Sequence, residues 1–312
     1  MEAVEIFLTI LGILMVSLIA LYVLFPRTLY GFLRNTLRRK GKLTAKSIKA
    51  GDMIWPYLEG GPSDGEPLVL LHGFGGDKDN WAIYAPEIVG KYRLIAPDLP
   101  GFGENIREVD RDYDMATQAA RVREFLDAMG IDKCHIGGNS MGGFVSLRFA
   151  LDYPERLLSM TLFNNAGVVG ANESKLQIEA QAGKNPLEIH SPDDVQRMLA
   201  FVAHKPMKVP GQFRKIFYED FAVHRELLDK IFWTLVEDGT GKALNDQLDQ
   251  VKAPTLIIWG RHDQLIDVSC VDVLEDGIPN AESVVFEEVG HIPMIENPKG
   301  TAKRHLEFLA KY

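Results

Sequence analysis

Cysteine is scarce in this 312-residue sequence. Cys134 and Cys270 are too few for a disulfide framework and lack the spacing of a metal-binding pair. Positive charge is also short: 34 Lys and Arg face 43 Asp and Glu, a net charge of −9. An acidic body is a poor match to a phosphate backbone, which argues against a nucleic-acid partner. Internal repeats and low-complexity tracts are missing. A mean hydropathy of −0.05 argues against a polytopic membrane protein. What remains is globular composition, 46% hydrophobic and 25% charged, with enough chain for one large α/β domain or two small ones.

One local exception stands out. Ile6 to Phe25 reads IFLTILGILMVSLIALYVLF, without charge or proline. A helix of that length spans about 30 Å, the thickness of a bilayer's hydrocarbon core. The preceding MEAVE lacks the basic n-region of a signal peptide, and no small-residue cleavage pattern ends the run. The expectation is an uncleaved single-span anchor. Residues 27–49 then carry eight Lys or Arg and no acid. Leu29, Phe32, Leu33 and Leu37 share one helical face and Arg34 and Arg38 another, the pattern of an interfacial helix on anionic lipid. The positive-inside rule puts this basic flank, and the domain behind it, on the cytoplasmic side. An interfacial basic helix blurs that signal, so the extracytoplasmic side stays open. Gly12 alone is no helix-packing motif, and dimerisation through the spanning helix is left open.

Beyond the anchor, buried-strand patterns at 67–73, 93–99, 133–140, 157–167, 253–260 and 283–290 alternate with helical ones at Thr117–Met129 and Met141–Tyr153. Such alternation implies a mostly parallel sheet covered on both faces. The rhythm breaks between Gly167 and Ala253, a stretch far longer than a crossover needs. There Phe213, Ile216, Phe217 and Phe221 form one apolar stripe, continued by Leu227, Leu228, Ile231, Phe232 and Leu235. This is the expectation of a helical cap over the sheet's C-terminal edge, part of whose stripe lines an apolar cavity. The expected division is 1–42 for the anchor and basic helix, 43–167 and 250–312 for the α/β core, and 168–249 for the cap. Deleting 1–42 is expected to free the domain from membranes and leave its chemistry intact.

The chemistry centres on Gly138-Asn139-Ser140-Met141-Gly142, a G-x-S-x-G where a strand gives way to a helix. Glycines there permit the tight turn that lifts a serine hydroxyl above the sheet. Acyl transfer needs two N–H donors for the oxyanion. The candidates are the amide of Met141, after the nucleophile, and that of Phe74, in the loop Leu71-His72-Gly73-Phe74-Gly75-Gly76. That loop lacks the lysine–serine pair of a phosphate-binding P-loop. A serine also needs a base and an orienting acid. His291, in Gly290-His291-Ile292-Pro293 after the last strand, is the candidate base. His72 and His135 read as structural, and His190, His204 and His224 fall in the cap. His262 and His305 have no suitable partner context. Asp263, ending the penultimate strand, is the candidate acid, with Asp267 its competitor. The chain order Ser140, Asp263, His291 is that of α/β-hydrolases, and all three fall at carboxyl ends of strands, where ligands bind in such sheets.

LLHGFGGDKDNW, APDLPGFGEN, IGGNSMGG, IIWGRHD and VGHIPMIENP together resemble the α/β-hydrolase fold family over residues 53–312. Within it the chain looks most similar to membrane-anchored monoacylglycerol lipases and bacterial inner-membrane phospholipases A. The resemblance implies Ser140 as nucleophile, His291 as base, Asp263 as its partner, and Phe74 and Met141 at the oxyanion hole. It implies a serine hydrolase of lipid esters, acylglycerol or (lyso)phospholipid, with the bilayer as partner and no metal or organic cofactor. Related carbon–carbon hydrolases of the meta-cleavage type usually carry tryptophan after the base histidine, where this chain has Ile292. A non-catalytic, membrane-tethered interaction protein is the reading from another class, since fold alone does not secure function.

Overall fold

The structure, a computed structural model, describes residues 2–312. Helix α1 (Glu2–Leu24) is apolar and unburied along Ala3–Leu24, a span of about 33 Å at the helical rise. Pro26, at the first helical position, opens α2 (Pro26–Lys40), where its missing N–H costs nothing.

Eight strands follow: β1 (Thr44–Ala50), β2 (Met53–Gly60), β3 (Pro67–Leu71), β4 (Arg93–Pro97), β5 (Cys134–Asn139), β6 (Leu157–Phe163), β7 (Thr255–Gly260) and β8 (Ala281–Phe286). They form one sheet in the order β1-β2-β4-β3-β5-β6-β7-β8. Strands β1 and β2 run antiparallel to their neighbours, and the rest pair parallel. The α/β expectation holds, and its six strands fall where the apolar runs placed them. The hairpin β1–β2 was not foreseen. Its first strand, TAKSIKA, is an exposed edge with one buried residue, so it offers no apolar run, and Lys46 and Lys49 of the basic flank belong to it.

The other helices are α3 (Ala85–Ile88), α4 (Met115–Ala128), α5 (Met141–Asp152), α6 (Lys175–Gln181), α7 (Pro192–Val202), α8 (Gly211–Val223), α9 (Arg225–Gly241), α10 (Cys270–Gly277), α11 (Pro293–Glu296) and α12 (Pro298–Leu309). One sheet face is covered by apolar side chains of α4, α5 and α10, the other by those of α3 and α12. Fully buried strand positions such as Val69, Ile95 and Ile136 face one side, and Leu68, Leu70 and Leu94 the other. Burial on both faces explains why these strands read as continuous apolar runs rather than alternating ones.

Helices α6 to α9 form the insertion between β6 and β7. Leu227, Leu228, Ile231 and Phe232 of α9 are buried and weld the cap to the core. The first stripe behaves differently, because no residue of α8 is buried. Phe213 meets the edges of Tyr22 and Tyr30, and Phe217 that of Tyr30, at ring separations of 5.6–5.9 Å. Helix α8 therefore docks the membrane-proximal helices onto the cap. Helix α2 is likewise part of the globular body. Arg38 is buried and makes a two-pronged pair with Asp79, both bonds 2.6 Å. Phe32, Leu33 and Leu37 remain exposed on its other side. The two-faced pattern of α2 is present, but its arginine face packs on protein. A boundary at residue 42 would cut through this packing.

Candidate active site

Strand β5 ends at Asn139 and α5 begins at Met141. Ser140 between them has φ 56° and ψ −118°, a left-handed conformation that costs a non-glycine residue roughly 1–3 kcal/mol. Close packing enforces it. A Cβ on Gly138 would collide with the Gly142 carbonyl, and one on Gly142 with the carbonyl oxygens of Leu71 and His72. The start of α5 thus lies directly on the end of β3. Ser140 is nearly buried at this helix N-terminus, where negative charge is favoured.

The loop after β3 comes against the serine: a Cβ on Gly73 would stand 3.1 Å from that of Ser140. Phe74 follows, its ring edge-on to Phe102 and Phe232. Met141 is fully buried. Among the described residues the backbone amides of Phe74 and Met141 donate no hydrogen bond. The loop is held from behind. His72 accepts from the Leu99 amide at 3.0 Å and donates to the Gly73 carbonyl at 2.8 Å, a structural role, and burial pushes its pKa down. The buried Lys78 ammonium lies 2.6 Å from Asp98, whose carboxylate also accepts from the Lys78 and Glu104 amides.

His291 and Asp263 are both buried, and Nδ1 of His291 lies 2.7 Å from Oδ2 of Asp263. With Nδ1 donating, the tautomer leaves Nε2 as the acceptor a base needs. Asp263 Oδ1 accepts from the amides of Leu265 and Ile266 at 2.8 and 3.1 Å. Asp267, the competitor, accepts from Ser269 at 2.9 Å and makes no bond to the histidine. Nε2 of His291 has no hydrogen-bond partner among the described residues, so the serine–histidine bond is not formed here. Such bonds commonly tighten only once substrate is bound.

Two asparagines, neither singled out in the sequence, tie these parts together. Asn139 donates to the carbonyls of Phe163 and His291 at 3.0 and 2.9 Å, joining the base's loop to the residue before Ser140. Asn164, with φ 44°, donates to Asp263 Oδ2 at 2.7 Å. Asn139 was visible as the second residue of G-x-S-x-G. Asn164 gave no signal beyond its place after a strand.

Ser140 and Phe74 line a cavity of about 460 Å³ beneath the cap, walled mainly by Val168, Leu176, Leu187, Phe232, Leu235, Leu265 and Ile266. That is ordinary size for a small-molecule site. The second apolar stripe does reach it, through Phe232 and Leu235.

With this geometry in place, residues 66–298 match the α/β-hydrolase fold family. The chain belongs to that family. Lipase 1 of Psychrobacter immobilis is 38% identical over 274 residues, 87% of this chain and 86% of that protein. Monoacylglycerol lipase ABHD6 of Rattus norvegicus is 29% identical over 310 residues, 96% and 92% respectively. A crystal structure of a bacterial membrane phospholipase A superposes with a TM-score of 0.88 at 35% identity, covering 100% of this α/β-hydrolase and 99% of that chain. The expected family and lipase-like kinship are therefore found, and the membrane phospholipase A matches over the N-terminal apolar helix as well.

Proposed function

We propose that this α/β-hydrolase is a membrane-anchored serine hydrolase of lipid carboxylic esters. The observation that carries the reading is Ser140 lining an apolar cavity beside a buried Asp263–His291 pair, in a chain whose relatives are named lipases. An apolar cavity ending at a nucleophile suits an acyl chain with its carbonyl at the serine.

In this reading Nε2 of His291 takes the Ser140 proton as Oγ attacks the acyl carbonyl. The Phe74 and Met141 amides hold the oxyanion. The imidazolium then protonates the leaving alcohol, and water repeats the sequence on the acyl-enzyme. Asp263 fixes the histidine tautomer and stabilises its charge.

The anchor is read as a single span, with α2 lying in the interface on Phe32, Leu33 and Leu37 and the domain on the cytoplasmic side. A cavity of about 340 Å³ opens between α2, the loop after Phe74 and α8, lined by Arg27, Arg34 and Arg107 and by Asp77, Glu104 and Asp220. Its placement beside α2 supports substrate arriving from the bilayer.

The test is fatty-acid release by detergent-solubilised full-length protein from monoacylglycerol, lysophospholipid and diacyl phospholipid in parallel. Release that disappears in Ser140→Ala is the expected outcome and ranks the head groups. A protein that neither releases fatty acid nor reacts with a fluorophosphonate probe at Ser140 would be an interaction module.

A further inference from the structure

Away from the cavity, three metal-ligating side chains meet from three segments far apart in sequence. His204 follows α7 in the cap, His262 stands between β7 and Asp263, and Glu288 lies between β8 and His291. One ligand atom from each falls within 4.8 Å of the others. The two imidazoles stack with centroids 4.0 Å apart and planes 10° apart, and His204 Nε2 is 3.8 Å from Glu288 Oε2.

The backbone behind them is fixed without help from these side chains. Glu296 accepts from the amides of His204 and Gly290 at 2.7 and 2.9 Å, and the His262 amide donates to the Val289 carbonyl at 2.9 Å. His204 is half-buried, while His262 and Glu288 are exposed, so an ion can reach the donors directly. Two imidazoles and a carboxylate are a borderline donor set that suits zinc. A tetrahedron with zinc–ligand bonds of about 2.0–2.1 Å has edges near 3.3 Å, so the imidazoles must turn out of their stack to bring the donors onto one ion with a fourth position open to water.

We propose that His204, His262 and Glu288 form a zinc site that ties the cap to the loops bearing Asp263 and His291. The tie acts at a short distance. Val202, two residues before His204, accepts from the His291 amide at 2.9 Å, so the cap already rests on the base's loop at this point. An ion here clamps that contact and holds the cap down over the cavity. Lys205 is the built-in competitor, its ammonium 2.7 Å from Glu288. Both partners are largely exposed, and such pairs contribute little, so zinc displaces the lysine.

The experiment titrates zinc chloride, by calorimetry, into detergent-solubilised full-length protein previously stripped with chelator. Wild type is expected to take up one equivalent. His204→Ala and His262→Ala should each bind about tenfold more weakly or worse, by loss of one of three ligands. Glu288→Gln should also bind more weakly, whereas Lys205→Ala should bind no more weakly than wild type, because the exposed pair it loses contributes little. Unaltered binding in both histidine variants, or none in wild type, overturns the site. An unchanged affinity in Glu288→Gln removes that carboxylate from it and overturns the three-ligand assignment. The effect on turnover rests on the hydrolase reading: zinc should slow fatty-acid release by wild type, reversibly with chelator, and not by His204→Ala. Equal slowing in both overturns the clamp. Failure of zinc-free wild type to hydrolyse any lipid would instead count against the hydrolase reading, which the binding titration does not use.

Discussion

Asn164 and His291 meet on one atom: both approach Oδ2 of Asp263 at 2.7 Å. The asparagine amide thereby fixes the rotation of the carboxylate that orients the base, and it does so from a left-handed backbone at the end of β6. A hydrogen bond to a charged group is worth about 1.5–3 kcal/mol. Asn164→Gly keeps that backbone accessible while deleting the amide. We expect kcat on a soluble short ester to fall by about 10–100-fold with KM unchanged, since Asn164 does not line the cavity. Steady-state kinetics decide this, and a change confined to KM would place Asn164 in substrate binding.

The acid itself is tested by a pair of substitutions. Asp263→Asn should lower kcat by about 10⁴, and Ser140→Ala by about 10⁶, by the precedent of serine proteases. Asp267→Asn should leave kcat within a fewfold of wild type, because its carboxylate serves a local turn. Activity lost in Asp267→Asn and kept in Asp263→Asn would reverse the assignment.

The parts of this molecule that were legible in the sequence are those where local chemistry and global placement coincide. Five strands buried on both faces and the half-buried edge strand β8 read as apolar runs, and the Gly138–Gly142 turn carries its own steric signature. Asp263 and His291, which the structure pairs, could be singled out because each lies in the loop after a strand whose position the fold dictates. Strand β1 hid behind lysines on an exposed edge. Asn164, and the stack of His204 on His262, hid because they depend on where distant loops meet. The face of α2 was misjudged for a related reason: an arginine that faces protein and one that faces lipid look alike until Asp79 is placed opposite Arg38.

Lys78 and Asp98 give a stability prediction. Their side chains are 2% and 0% exposed and join the loop behind Phe74 to the turn after β4. Removing one partner of a buried pair typically costs about 3–5 kcal/mol, because the other charge stays behind unpaired. Lys78→Met should lose stability of that order in urea unfolding. The double variant Lys78→Met with Asp98→Asn, which removes the charge and keeps an acceptor for the Lys78 and Glu104 amides, should recover part of it. A loss below about 1 kcal/mol for the single variant would mean that the Lys78 and Glu104 backbone amides suffice to hold the Asp98 carboxylate.

Asp77 links the same loop to pH. Burial, aided by the charges of Asp79 and Asp98, pushes its pKa up to about 7 from an ordinary 3.8. Between those two values the folded chain holds a proton that the unfolded chain has released. Stability therefore falls as pH rises through this window and stays lowered above it. Asp77→Asn is neutral throughout and keeps an acceptor for the Asp79 amide that Asp77 now caps. Its melting temperature should gain on wild type steadily from pH 4 to pH 8. A difference that is flat with pH would mean that Asp77 is ionised in the folded chain across the range.

Two truncations separate the anchor from the body. Removing residues 1–24 takes away α1 and leaves α2, with its Arg38–Asp79 pair and the contacts of Tyr30 with Phe213 and Phe217. That protein should melt close to wild type, hydrolyse a soluble ester normally and still float with anionic vesicles, because Phe32, Leu33 and Leu37 stay exposed beside basic residues. Removing residues 1–42 strips α2 as well. It leaves Asp79 without its guanidinium and uncovers α8, so it should melt lower and lose vesicle binding. If both truncations behaved alike in melting and flotation, α2 would be a passive linker and the packing of its arginine face would contribute nothing.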